Sequence, residues 1–509
     1  MPGVKVLLVV IDAASPRVMC PAVQTGRLPN LKRLAESGSM HERSTTIFPS
    51  ITPAATSSII TGAYPSEHGI AGASWYEEGK GVAYYGDDFW TITKEGYGNF
   101  LEDFLRKLNG DRLTAPTLFE MVEHAGLKAS CVNYLIYKGN IAHKIRVPPP
   151  MALLPGVKLH EEILGPSTLC LGDFVTPHDG RRKVKDRGGL MHRFGMDDES
   201  GADMLRQLAE DDALGDFALA YFADNDYCSH EVGPFAALPV LDRVDAALGA
   251  VFDAAGGFER FTRDTCVIVT SDHGHSEILA DSKRSVIQLD RVLGDLKRAD
   301  IARGWRTDDD IMICPNMRAA QIYVQNPTTV SVDRLVQAAL ADTRIDLALW
   351  HRRITGADSQ TYVVESRRGR FEFSRGSGPD RGARDAFGTV WNWRGDLNVL
   401  GLDFVDDVLD SCVYPNPLER IAGVLDHRSS GDVWLTAEPG CEFEVSGGDA
   451  HAGGGSHGAL HALDSLSPVI IGGATAPELP RHMRSVDIAP LCMELLGLSM
   501  KYRVGQGRP

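Results

Sequence analysis

The chain is poor in positive charge and has no long apolar runs. Against 68 Asp and Glu it sets only 52 Lys and Arg, a formal net charge of −16. Proteins that coat nucleic acid draw their affinity from clustered Lys and Arg on phosphates, so stable nucleic-acid binding is not expected. Two local basic runs, RRKVKDR at 181–187 and RRGR at 367–370, read as solvated faces or hairpin turns. No segment reaches membrane-spanning length without charges, so no membrane is expected as a partner. Cysteine is present but unpatterned. Cys20, Cys131, Cys170, Cys228, Cys266, Cys314, Cys412, Cys441 and Cys492 are odd in number and form no C-x-x-C pair. That spacing argues against a disulfide framework and for reduced thiols in a cytoplasmic protein. The opening VKVLLVVID is short, runs at once into Asp12 and lacks a small-residue cleavage site. It is read as a first strand, not a signal peptide. Repeats and low-complexity tracts are absent too, which excludes solenoids and disordered tails.

What remains is ordinary globular composition, 43% hydrophobic and 24% charged, over 509 residues. That length suits an α/β core carrying insertions. The continuous apolar run Val4 to Ile11 reads as a strand of a parallel sheet covered on both faces. A helix follows at about Pro29–Ser37. Strand-and-helix alternation continues through 117–137, FALAYFADND at 217–226, the helical 239–257, TCVIVTSDHG at 265–274, SPVIIGG at 467–473 and a closing helix at 486–498. This rhythm predicts a doubly wound, mostly parallel central sheet flanked by helices. Residues 75–115 and 138–200 interrupt it as loop insertions. Residues 280–445, with their own helix VDRLVQAALADT and hairpin-like TYVVESRRGRFEFSR, read as an inserted α+β cap subdomain. The core is then 1–279 and 446–509.

Open α/β sheets bind ligands beyond the carboxyl ends of their strands, so the residues that end each apolar run are the candidates. The first strand ends in Asp12. The strand at 217–223 leads to Asp226 and His230, the strand at 266–270 to Asp272 and His273, and the glycine-rich GGGSHG carries His457. Carboxylate and neutral imidazole, with no thiolate, suit Zn²⁺ or Mn²⁺ in a catalytic setting. One Asp at a strand end usually caps a helix and one His is usually just hydrogen-bonded, so only the set makes the argument. The stretch FPSITPAATSSIITG at 48–62 adds a second feature. Pro53 fits a first helical turn, Thr52 falls at the expected N-cap over the positive end of the helix dipole, and small residues let an anion approach the backbone.

These pieces together resemble the alkaline phosphatase superfamily, in its nucleotide pyrophosphatase/phosphodiesterase-like branch. VVID at 9–12, FPSITPAATSSIITGAYPSEHGI at 48–70, DNDYCSHEVGP at 224–234, SDHG at 271–274, GSHG at 455–458 and VDIAPLCMELLGL at 486–498 occur in the family's order. The resemblance implies an alkaline-phosphatase-like fold and two divalent ions, Zn²⁺ first and Mn²⁺ second. Asp226, His230 and His457 would hold one ion, and Asp12, Asp272, His273 and the Thr52 oxygen the other. Thr52 would be the nucleophile that attacks phosphorus in line, with hydrolysis of the phosphothreonine ester completing the cycle. The implied substrate is a small, nucleotide-type phosphodiester. A phosphomonoesterase or phosphomutase usually adds an Arg or Lys clamp, and none flanks Thr52. A sulfatase would need a Cys or Ser for formylglycine, which ITPAA lacks. Phosphonate hydrolysis stays open as an alternative on the same core, and a catalytically silent scaffold is disfavoured by the full set of ligands.

Overall fold

The strand Lys5–Ile11 is buried at every position after its first. Its side chains alternate between two apolar layers, Val6, Leu8 and Val10 on one face and Leu7, Val9 and Ile11 on the other. A strand with both faces covered has no polar side to present, which is why the sequence shows an unbroken apolar run. The computed structural model describes residues 4–85, 102–146, 162–176, 190–355, 360–376, 381–444 and 450–500. The basic run 181–187 lies outside them.

Lys5–Ile11 sits inside an eight-stranded sheet. On one side it pairs in parallel with Phe217–Phe222, which leads on in parallel to Ala129–Val132 and Thr168–Cys170. On the other it pairs in parallel with Thr265–Thr270. Next comes Leu466–Gly473, antiparallel to both of its neighbours, and then Gly38–Thr45 and Met483–Arg484. The sheet is therefore mostly parallel with one reversed strand. Helices Pro16–Gln24, Pro29–Glu36, Asp198–Glu210 and Leu238–Ala254 cover one face through residues such as Val18, Leu34, Met204 and Leu248. Helices Thr52–Thr61, Leu118–His124 and Ile488–Leu495 cover the other through Ile59, Phe119 and Cys492. Among the described residues no helix is long and apolar enough to cross a membrane.

A second, ten-stranded sheet takes its strands from residues 311–437. It is antiparallel except where Arg381–Asp385 meets Val408–Ser411. Tyr362–Ser366 and Gly369–Arg375 form a hairpin, and the RRGR run lies at its turn, where Arg367 and Arg368 pair with Glu438 and Asp346. This sheet does not stand apart from the core. The turn between Ile311–Asn316 and Ala319–Val324 reaches into it, and buried Arg318 meets Asp464 and the hydroxyl of Ser276 (2.7 Å). The Arg318 N–H also donates to the carbonyl of His457 (2.9 Å). Trp75 is fully buried and stacks on Tyr85, while Tyr76 packs edge-on against Trp305 and Tyr323. Trp75 and Tyr76 are packing residues.

Candidate metal centre

Each candidate side chain is placed by a strand end or by a loop braced against one. Asp12 follows the first strand directly. The Ala13 N–H donates to Asp272 Oδ1 (3.1 Å) and the Ala14 N–H to Ser271 Oγ (2.8 Å), which locks the ends of two neighbouring strands together. Asp226 and His230 lie one turn apart on helix Asp224–Val232, a spacing that puts both on one face. Asp198 and Asp224 cap each other's helix, with N–H to carboxylate distances of 3.0 and 3.3 Å. Thr52 is the first residue of helix Thr52–Thr61, and Ile51 is the N-cap. The sequence pattern places Thr52 itself at the cap, one residue later than the structure does. With its backbone already helical, its hydroxyl makes no capping bond and instead lies 3.1 Å from His273 Nε2. Pro53 takes the first-turn position expected of it.

The side chains gather into two groups, Asp12 with Asp272 and His273, and Asp226 with His230, His275 and His457. Rings of His273 and His457 stack at 3.8 Å between centroids, which makes the groups neighbours. In the first, His273 Nε2 lies 3.6 Å from Asp12 Oδ1 and 3.4 Å from Asp272 Oδ2. In the second, Asp226 is faced by His230 Nε2 at 3.4 Å, His457 Nε2 at 3.5 Å and His275 Nε2 at 3.6 Å. Thr52 and Asp226 are partly exposed while the other members are buried.

The anchoring of each group shows which atom is left for a ligand. The Nδ1 atoms of His230, His273 and His457 lie 2.9, 2.9 and 2.7 Å from the carbonyls of Gly455, Gly274 and Ser50. A carbonyl only accepts, so Nδ1 carries the proton and the Nε2 lone pair points inward. Asp12 takes the Tyr221 hydroxyl on Oδ2, and Asp272 takes the N–H groups of Ala13 and His273 on Oδ1. Asp12 Oδ1, Asp272 Oδ2, Asp226 Oδ1 and His457 Nε2 are buried with no hydrogen-bond partner among the described residues.

Burial, reinforced by the carboxylates of Asp272 and Asp226, pushes the Asp12 carboxyl well above its ordinary range, and burial raises Asp272 against the pull of His273. Burial also raises Asp226, but the imidazoles of His230, His457 and His275 outweigh it and hold that carboxyl well below its ordinary range. Burial first, and neighbouring imidazoles second, keep His457 and His275 well below the usual histidine range and therefore neutral. Carboxyls that resist ionising alone in the first group, and inward imidazole lone pairs around an ionised carboxylate in the second, fit a divalent cation. Sequence reasoning missed His275 and Tyr221. The second histidine of SDHGH was the available signal for the first; nothing in an apolar strand marks the second.

A mostly parallel α/β sheet with Asp/His clusters at its strand ends and a threonine at an adjoining helix start is the arrangement that the resemblance to the alkaline phosphatase superfamily implies. Residues 6–460 match the family model of type I phosphodiesterase / nucleotide pyrophosphatase, and the chain belongs to that family of hydrolases acting on phosphoric ester bonds. No curated protein matches it in sequence. Among solved structures it is similar to murine ectonucleotide pyrophosphatase/phosphodiesterase 5 (TM-score 0.58, 15% identity, 99% of this chain and 97% of that one). It is also similar to the human form of that protein (0.57, 16%, 98% and 96%). A third similar structure is phosphonoacetate hydrolase from Sinorhizobium meliloti 1021 with phosphonoformate (0.56, 16%, 97% and 96%). At such identities the likeness is one of fold.

Proposed function

We propose that this protein hydrolyses small, nucleotide-type phosphodiesters with Thr52 as nucleophile. The observation that carries the reading is the convergence of Thr52 Oγ1 on His273 Nε2 at 3.1 Å, at a helix start and beside two adjoining Asp/His clusters. Two divalent ions, Zn²⁺ first and Mn²⁺ second, would be held by Asp12, Asp272, His273 and Thr52 and by Asp226, His230 and His457; they supply the positive charge that favours a threonine alkoxide and offsets charge on phosphorus. Thr52 sits where the helix dipole favours an anion. Its oxygen forms the new bond to phosphorus as the ester oxygen leaves, and water then hydrolyses the phosphothreonine ester. Tyr221 fixes one oxygen of Asp12 and turns the other toward His273. Among relatives, the murine protein was captured as an inactive threonine-to-alanine variant with AMP, which supports both the nucleophile and a nucleotide-type substrate.

The segment 280–445 is proposed as the unit that sets substrate choice around this shared chemistry. A cytoplasmic location belongs to the same reading, since all nine cysteines are unpaired and most are buried. Phosphonate hydrolysis is the second reading, favoured by a phosphonoacetate hydrolase whose fold matches this chain almost as well as the nucleotide enzyme's. The purified, metal-analysed protein should be assayed with an aryl diester, an aryl monoester, a dinucleotide, a cyclic nucleotide and phosphonoacetate. Fastest turnover of the diester or dinucleotide is expected. Preference for phosphonoacetate would replace the first reading by the second, and no turnover of any compound by metal-loaded protein would overturn both.

A further inference from the structure

The short strands Ser276–Glu277 and Gly455–Ser456 pair antiparallel with Ser276 opposite Ser456. This register sets the flanking residues, His275 and His457, side by side, with ring centroids 5.4 Å apart, and His275 lies 4.8 Å from the ring of His230. His275 is fully buried, and neither ring nitrogen has a hydrogen-bond partner among the described residues. Its Nε2 faces Asp226 Oδ1 at 3.6 Å, too far for a hydrogen bond. A buried polar group left without a partner is destabilising, so the arrangement calls for something between the atoms. Donors about 2.0–2.1 Å from a tetrahedral ion stand about 3.3–3.4 Å from one another. The three imidazole-to-carboxylate separations at Asp226, 3.4, 3.5 and 3.6 Å, lie close to that spacing. The sequence also makes room for the ring. A Cβ at Gly455 would sit 2.5 Å from His275 Cε1 and 2.6 Å from Nδ1. Arg17 Nη2, donating to the His275 carbonyl at 3.1 Å, holds the backbone in place.

We infer that His275 is a fourth protein ligand to the ion held by Asp226, His230 and His457. The inference rests on the two-metal reading above. It makes the two centres unequal: four side chains fixed in the fold close one, while the other has three such donors, Asp12, Asp272 and His273, and takes its fourth from Thr52, the proposed nucleophile. Closed sets of four donors are the pattern of retained ions, and three donors with an open position the pattern of catalytic ones.

The test is metal retention. Zinc-loaded protein is equilibrated with rising dipicolinate and the bound zinc per chain is measured, with circular dichroism as the check on folding. Wild-type protein should lose its two ions in separate steps, at least about tenfold apart in chelator. In His275→Ala the later step should move at least about tenfold lower, since even an outer partner of a metal ligand is worth that much. His275→Asn, which keeps a polar side chain but cannot extend Nε2 to Asp226, should behave the same way if the alanine variant folds poorly. A folded variant with an unchanged later step, or loss of both wild-type ions in one step, overturns the role of His275 and leaves the two-metal reading standing. Wild-type protein that holds fewer than two ions overturns both.

Discussion

Replacing Arg318 by methionine removes a buried cation that ties the second sheet to the loops carrying Ser276 and His457. Arg318 and Asp464 are both fully buried. The guanidinium donates to the carbonyls of Cys441 (3.0 Å) and Ala437 (3.2 Å) and to Ser276 Oγ (2.7 Å), besides meeting Asp464 Oδ1. Without it Asp464 keeps, among the described residues, the Ala459 N–H (2.8 Å) and the Ser276 hydroxyl (2.9 Å), too little to stabilise a carboxylate shut away from water. Breaking a buried pair from one side costs about 3–5 kcal/mol, most of it the penalty of the charge left behind. Arg318→Met should therefore lose about that much in urea unfolding followed by tryptophan fluorescence, with buried Trp350, Trp391 and Trp434 as reporters in the second sheet. Asp464→Asn added to Arg318→Met should recover part of the loss, because the amide removes the stranded charge and keeps an acceptor for Ala459. A cost below about 1 kcal/mol for Arg318→Met, or a double variant no more stable than the single, would refute the reasoning.

Burial lifts the Asp198 carboxyl to about 7, against an unfolded value near 3.9. The folded chain thus holds a proton that the unfolded chain has lost, so this group's contribution to stability falls as pH rises from about 4 to 7 and stays low above. Asp198→Asn keeps an acceptor for the Asp224 N–H; it should stabilise the protein by on the order of a few kcal/mol at pH 8 and far less at pH 5, and equal urea midpoint shifts at both would contradict this. Tyr221→Phe removes the hydroxyl that orients Asp12 and should weaken one metal site about 10–100-fold by chelator competition while leaving circular dichroism unchanged; unaltered affinity would show that Asp12 is held without it.

The sequence made strand ends legible because a parallel strand is apolar to its last residue and soon turns polar, as Ile11 to Asp12 and Phe222 to Asp224 do. The small-residue helix after Thr52 was readable for a similar reason, since Pro53 fixes where it starts. The reversal of Leu466–Gly473 was not, because an apolar run carries no direction. Nor was the place of His275, which depends on the register of two-residue strands separated by nearly two hundred positions. Arg318 and Tyr221 look unremarkable in sequence. Their roles arise only where a turn of one sheet meets a loop of the other, and where a strand residue's hydroxyl reaches the neighbouring strand's end.

The claim that Thr52 is the nucleophile is tested most directly by Thr52→Ala, assayed for aryl diester hydrolysis with zinc content measured on the same sample. The variant should keep its fold and most of its metal yet lose activity by on the order of a thousandfold or more. Thr52→Ser should retain part of it, and acid-quenched wild type should carry the phosphoryl group on Thr52. A metal-loaded Thr52→Ala variant that hydrolyses the diester within about threefold of wild type would contradict the account, because water would then be attacking phosphorus directly.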